Sequence, residues 1–153
     1  MVSPILMRKA NALRFYWNID ANVGAGSPNH ADDVQLVQMA YAIMATRPDT
    51  PPSDKATYAL VKPGMPCTGL EADPLVRAIR NHQARRGGAQ DGHVSVITTN
   101  SGVYPHGDGA VAFMLVPLVN NIFDAMPADF PRLDKHRGCP PALRVSVIKA
   151  CTL

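Results

Sequence analysis

Apolar and polar residues alternate from Leu13 to Asp20, with Leu13, Phe15, Trp17 and Ile19 set against Arg14, Tyr16, Asn18 and Asp20. A period of two is that of a half-buried strand. From Asp32 the period changes. Val34, Val37, Tyr41 and Met44 form one helical stripe and Leu36, Ala40 and Ile43 a second beside it. A helix over residues 32–46 with so wide an apolar arc is expected to pack on two sides and to stop before Arg47-Pro48. A further helix is expected over residues 73–86. Asp73 supplies a capping carboxylate, Pro74 occupies the position where a missing N–H costs nothing, and Leu75, Ala78, Ile79 and His82 share one face. Arg85 and Arg86 meet the carbonyl end of the dipole, and Gly87-Gly88 stops the helix.

From Asp108 to Asp124 the pattern is again helical. Val111, Leu115, Leu118 and Ile122 make one stripe, widened by Phe113, Val116 and Phe123, and Pro117 is expected to bend or split the helix. This is the expected central core helix. Val94–Thr99 and Tyr58–Val61 read as short strands. Leu143, Val145 and Val147, alternating with Arg144, Ser146 and Ile148, read as a closing strand. Pairing of the first and last strands in a small sheet would tie both termini onto the helices, giving an α+β, mainly helical domain.

Composition alters this picture little. The chain has 153 residues, about one domain, and its 14 prolines fall mostly between periodic segments, so long ordered loops are expected. A net charge of +3 is too diffuse for a nucleic-acid footprint. The longest apolar run, Val111 to Val119, is too short to span a bilayer. The N-terminus, MVSPILMRKANALRF, places its apolar patch before its basic pair, the reverse of a secretory signal. Synthesis in the cytoplasm is expected, and delivery to periplasm or cell wall would need a specialised system. Cys67, Cys139 and Cys151 form no CxxC or Cys/His cluster, so free thiols are expected. Cys139 with Cys151 is the pair to consider if the protein works outside the cytosol.

Residues 22–125 resemble the peptidoglycan-binding-like domain, a small three-helix module of bacterial cell-wall enzymes and phage lysins. The family's glycine-containing lead-in and V..LQ..L helix are similar to Asn22-Val23-Gly24 and Asp33-Val34-Gln35-Leu36-Val37-Gln38. Its AI..FQ block is similar to Ala78-Ile79-Arg80-Asn81-His82-Gln83, and its DG.V turn to Asp91-Gly92-His93-Val94. His82 stands where the family has an aromatic, and Glu71-Ala72-Asp73-Pro74 replaces its glycine–threonine signature. The resemblance implies a three-helix core over 22–125 within the single domain, and the proline-rich extension with its closing strand over 126–153 lies outside it. The resemblance also implies a non-catalytic module binding peptidoglycan or muropeptides without a cofactor. Its groove between helices would draw on Gln38, Arg80, Gln83, Asp91 and His93, whose polar groups can orient a polymer. The same amides and carboxylate can instead hold loops and turns.

Other chemistries have fewer anchors. Cys67 with His93 or His106 and Asp108 would make a Cys–His–Asp peptidase or amidase, yet Pro66 interrupts the approach to the Asp73 helix. His106 and Asp108 with His30 or His93 would make a metal site with no fixed third ligand, and no metal is expected. A protein–protein adaptor, such as a component of a phage-like or secretion apparatus, is the main alternative. Its docking surface would be Phe130, Leu133 and Pro140-Pro141.

Overall fold

A computed structural model of the chain describes residues 1–9, 12–98 and 113–152. The architecture is α+β, with five helices and two two-stranded antiparallel sheets among the described residues. The alternating segment forms a strand, β2 (Ala12–Asn18), but its partner is β1 (Ser3–Lys9), in a register running from Ser3↔Asn18 to Lys9↔Ala12. The apolar patch near the N-terminus, with Ile5 and Leu6, thus belongs to a hairpin, and the expected sheet between the first and last strands does not form.

The last segment is instead a helix, α5 (Pro141–Cys151). Pro141 takes its first position, where proline is pre-organised, and the Gln35 Oε1 accepts the Leu143 N–H at 3.0 Å. Leu143 and Val147 are fully buried and Ser146 is nearly so, whereas Val145 is 53% exposed and Ile148 41%. Leu143 and Val147 fit a period of two and a period of 3.6 equally, which is why the sequence pattern misled.

The helix over 32–46 is present as α1 (Ala31–Thr46), and it, rather than the helix near 115–125, is the centre of the domain. It packs against α2 (Pro52–Tyr58), α4 (Leu115–Ala125) and α5. Its buried Asp33 accepts the N–H groups of Asp20 and Ala21 at 3.3 and 3.1 Å, fixing the chain that leaves β2. The strand expected at Tyr58–Val61 is the end of α2 and the turn after it; Tyr58 and Val61 are both buried, at helical spacing. The first residues of the helix expected from Asp108 lie outside the described residues. Pro117 is the third residue of α4, where no N–H is needed by the ladder, so it begins the helix rather than bending it.

The helix α3 (Pro74–Arg86) is as the sequence indicates. Asp73 Oδ1 accepts the Leu75 N–H at 2.8 Å, and Gly87 ends it with φ 71°. In the described part of the β-branched stretch after it, only β4 (His93–Val94) is a strand, paired with β3 (Val23–Gly24). Beyond Val94 the backbone is held by amide side chains. Asn18 Nδ2 donates to the Ile97 carbonyl and Asn18 Oδ1 accepts the Ile97 N–H, both at 2.9 Å, while Asn22 Oδ1 accepts the Val96 N–H. Asn18, expected to face outward, is therefore buried. Cys67, Cys139 and Cys151 are all free thiols, so the Cys139–Cys151 pairing is absent. Among the described residues no helix is long and apolar enough to cross a membrane.

Candidate functional site

Three of the five candidate residues meet at one turn. Gln83, in the last turns of α3, is buried and faces Asp91-Gly92-His93. Its Nε2 donates to Asp91 Oδ1 at 2.7 Å and to the His93 carbonyl at 3.0 Å, and its Oε1 accepts the Gly92 N–H at 2.9 Å. Asp91 Oδ1 also accepts the His93 N–H at 3.1 Å. One amide thus satisfies the turn and delivers β4 to β3. Burial pushes the Asp91 carboxyl up, but the Gln83 amide, the His93 N–H and the charges of His93 and Arg80 outweigh it and leave Asp91 below its ordinary value.

Arg80 lies on the same side. Its guanidinium donates to Glu71 Oε1 at 2.6 Å, and its Nε is close enough to Gly92 that a Cβ there would stand 2.8 Å away. Gln38 stands apart from this group. Its Nε2 donates to the Met65 carbonyl at 2.7 Å and its Oε1 accepts the Gly64 N–H at 3.0 Å. The glutamines and Asp91 therefore spend their hydrogen bonds inside the protein, while Arg80 and His93 remain partly exposed.

The loop that Gln38 fixes forms one wall of a groove of about 410 Å³, opposite the start of α3. Leu60, Met65 and Leu70 line it at 53%, 60% and 67% exposure, a concentration of open apolar surface that the sequence reading did not single out. Lys62 lies at the same groove, and its Nζ donates to the Ala59 carbonyl. Asp73, buried at the groove's end, accepts the N–H and hydroxyl of Thr68 as well as the Leu75 N–H, which fixes the loop to the helix. These three apolar residues sit on irregular chain between Ala59 and Pro74. No periodicity marks them; only a cluster of large apolar side chains amid Pro, Gly and Thr was there to notice.

A second polar cluster underlies α2 and α3. The Tyr41 hydroxyl and His82 Nδ1 are 3.4 Å apart, with Tyr58 packed beside both rings. Burial, helped by the charge of Arg86, lowers His82 to about 4, so it is neutral in the folded protein. Asp54, buried next to it, is paired with Arg85 and accepts the Asn81 amide at 2.9 Å. His82 thus fills the aromatic position of the resembled motif as an uncharged ring.

Burial raises the Cys67 thiol above its ordinary value, the reverse of an activated nucleophile. The small cavity it lines, about 130 Å³, has no histidine among the described residues of its wall. His106 and Asp108 lie outside the described residues, and among those residues no group of three His, Cys, Asp or Glu side chains is placed to hold a metal ion. The docking patch expected at Phe130, Leu133 and Pro140-Pro141 is open only in part: Pro141 is exposed and Phe130 half-buried. Leu133 is fully buried and Pro140 is buried with it. Compared with known protein families, curated proteins and solved structures, the chain matches none.

Proposed function

We propose that the protein is a non-catalytic binding module with a peptidoglycan-binding-like core, and that the groove between residues 60 and 75 takes the peptide part of bacterial cell-wall peptidoglycan. The observation that carries this reading is the groove itself: exposed Leu60, Met65 and Leu70 on an otherwise tightly held loop, with Lys62 beside them. Stem peptides are short and rich in methyl groups and end in carboxylates. An apolar floor with one ammonium group suits that chemistry. The convergence of the lead-in Gly24, α1, α3 and the Asp91-Gly92 turn supports the resemblance on which the ligand class rests. In this reading Gln38, Gln83 and Asp91 shape the module from inside, and Arg80 and His93 are the candidates that remain able to touch a ligand.

The test is co-sedimentation of the purified protein with purified sacculi, alongside Leu60→Asp/Leu70→Asp, whose exposed positions leave the fold intact by circular dichroism. Saturable pelleting that this variant loses is the expected result. Pelleting at background for the unaltered protein overturns wall binding.

The second reading, an adaptor that binds another protein, is favoured by the same three side chains. A polar glycan gains little from Leu60, Met65 and Leu70, whereas an apolar helix or strand of a partner would cover them.

A further inference from the structure

A separate cavity of about 370 Å³ opens between β2 and α4, lined by Phe15, Tyr16, Val119, Phe123, Phe130 and Pro131, with Arg14 and Asn120 in its wall. Its rings stand at right angles to each other. Phe15 and Phe130 have centroids 6.4 Å apart at 84°, and Phe123 and Phe130 5.3 Å apart at 80°. Such a corner presents ring faces and ring edges together, the two surfaces that a flat ring packs against best. The floor is rigid, because Phe15 meets Trp17 edge-on at 5.9 Å and Trp17 Nε1 donates to the Pro131 carbonyl at 2.9 Å. Phe123 is 39% exposed, so a large apolar ring is left open to solvent at the mouth.

Charge selects the ligand further. Among the described residues Arg14 is the one charged residue lining the cavity; it is exposed and has no ion-pair partner there. Among the described residues no carboxylate lines the wall. We infer that this cavity is a second binding site, for a small molecule that carries a flat apolar ring and a carboxylate. The ring would sit in the phenylalanine corner and the carboxylate would meet the Arg14 guanidinium, with the Asn120 amide at hand for a further hydrogen bond. The volume falls within the usual range for small-ligand sites, roughly 300–1,000 Å³. This inference does not rest on wall binding, since it shares no residue with the groove at 60–75.

Trp17 is the only tryptophan and touches the cavity's floor, so its emission reports occupancy. The unaltered protein would be titrated with phenylacetate, with neutral 2-phenylethanol and with ring-free acetate. Phenylacetate is expected to change Trp17 emission saturably, 2-phenylethanol to bind several-fold more weakly, and acetate to leave the emission unchanged. Phe123→Ala, checked for an unchanged circular dichroism spectrum, is expected to abolish saturation. Arg14→Gln is expected to bring phenylacetate down to the level of 2-phenylethanol, while Leu60→Asp/Leu70→Asp leaves the titration as it was. Absence of saturation, saturation that survives Phe123→Ala, or equal binding of the acid and the alcohol each overturns the assignment.

Discussion

Gly24 and Gly92 face each other so closely that a Cβ on Gly24 would lie 2.2 Å from the Gly92 carbonyl oxygen. The approach is what allows β3 to pair with β4, and the Ala25 N–H donates to that same carbonyl at 2.9 Å. Gly24 also has φ 112°, a conformation side chains rarely adopt. Gly24→Ala is therefore expected to destabilise the protein by about 3 kcal/mol or more, as read from urea unfolding. Gly26→Ala has a positive φ but open space around it, so about 1 kcal/mol is expected there.

Gln83 holds three groups of the adjacent turn with one amide. Truncation to alanine leaves the Gly92 N–H and the His93 carbonyl without that partner in a buried setting. A loss of about 3 kcal/mol is expected for Gln83→Ala. Hydrogen exchange at Gly92 and His93 should accelerate before the rest of the protein opens; protection equal to the parent's would show that the amide does not hold the turn.

His82 makes stability depend on pH. Its folded value of about 4 lies below the ordinary 6.5, so the unfolded chain takes up a proton first as pH falls. The contribution is complete above about pH 6.5, declines as pH falls, and is gone below about pH 4, amounting to roughly 3 kcal/mol in all. His82→Gln should flatten the difference in unfolding free energy between pH 7 and pH 4 relative to the parent. An identical pH profile in the two proteins would mean that His82 is not buried neutral.

Val145 and Val147 separate the helical from the extended form of the last segment. In a strand both would share a face. In α5 Val147 is fully buried and Val145 is 53% exposed. Val147→Ala is expected to cost about 2 kcal/mol, and Val145→Ala to be neutral or slightly stabilising because alanine is the better helix former. Equal effects from the two substitutions would restore the strand.

Legibility from sequence followed how local each determinant is. The helix α3 was readable because its cap, its proline, its apolar face and its terminal Gly87 are all written within fifteen residues. The helix α1 was readable from two adjacent stripes. The partner of β2 is not legible, because β1 carries no clear alternation, and the stretch after Val94 has the composition of a strand while Asn18 and Asn22, more than seventy residues earlier, hold its backbone. For the site, the Gln83–Asp91–His93 grouping follows from a turn close behind its helix. The groove at Leu60, Met65 and Leu70 depends on loop geometry set by Gln38 and Asp73, and the phenylalanine corner joins β2 to residues more than a hundred positions later. Neither leaves a periodic trace.

The bond from Gln35 to the Leu143 N–H also bears on how the chain matures on the ribosome. Leu143 is made 108 residues after Gln35. Until then α1 has been synthesised but its flank toward α5 has nothing to cover it. At elongation speeds of roughly 5–20 residues per second that interval lasts about five to twenty seconds, long enough for chaperones to engage the nascent chain. Ribosome-bound fragments stopped before residue 141 should therefore be protease-sensitive throughout α1, and become resistant only when the last helix has emerged.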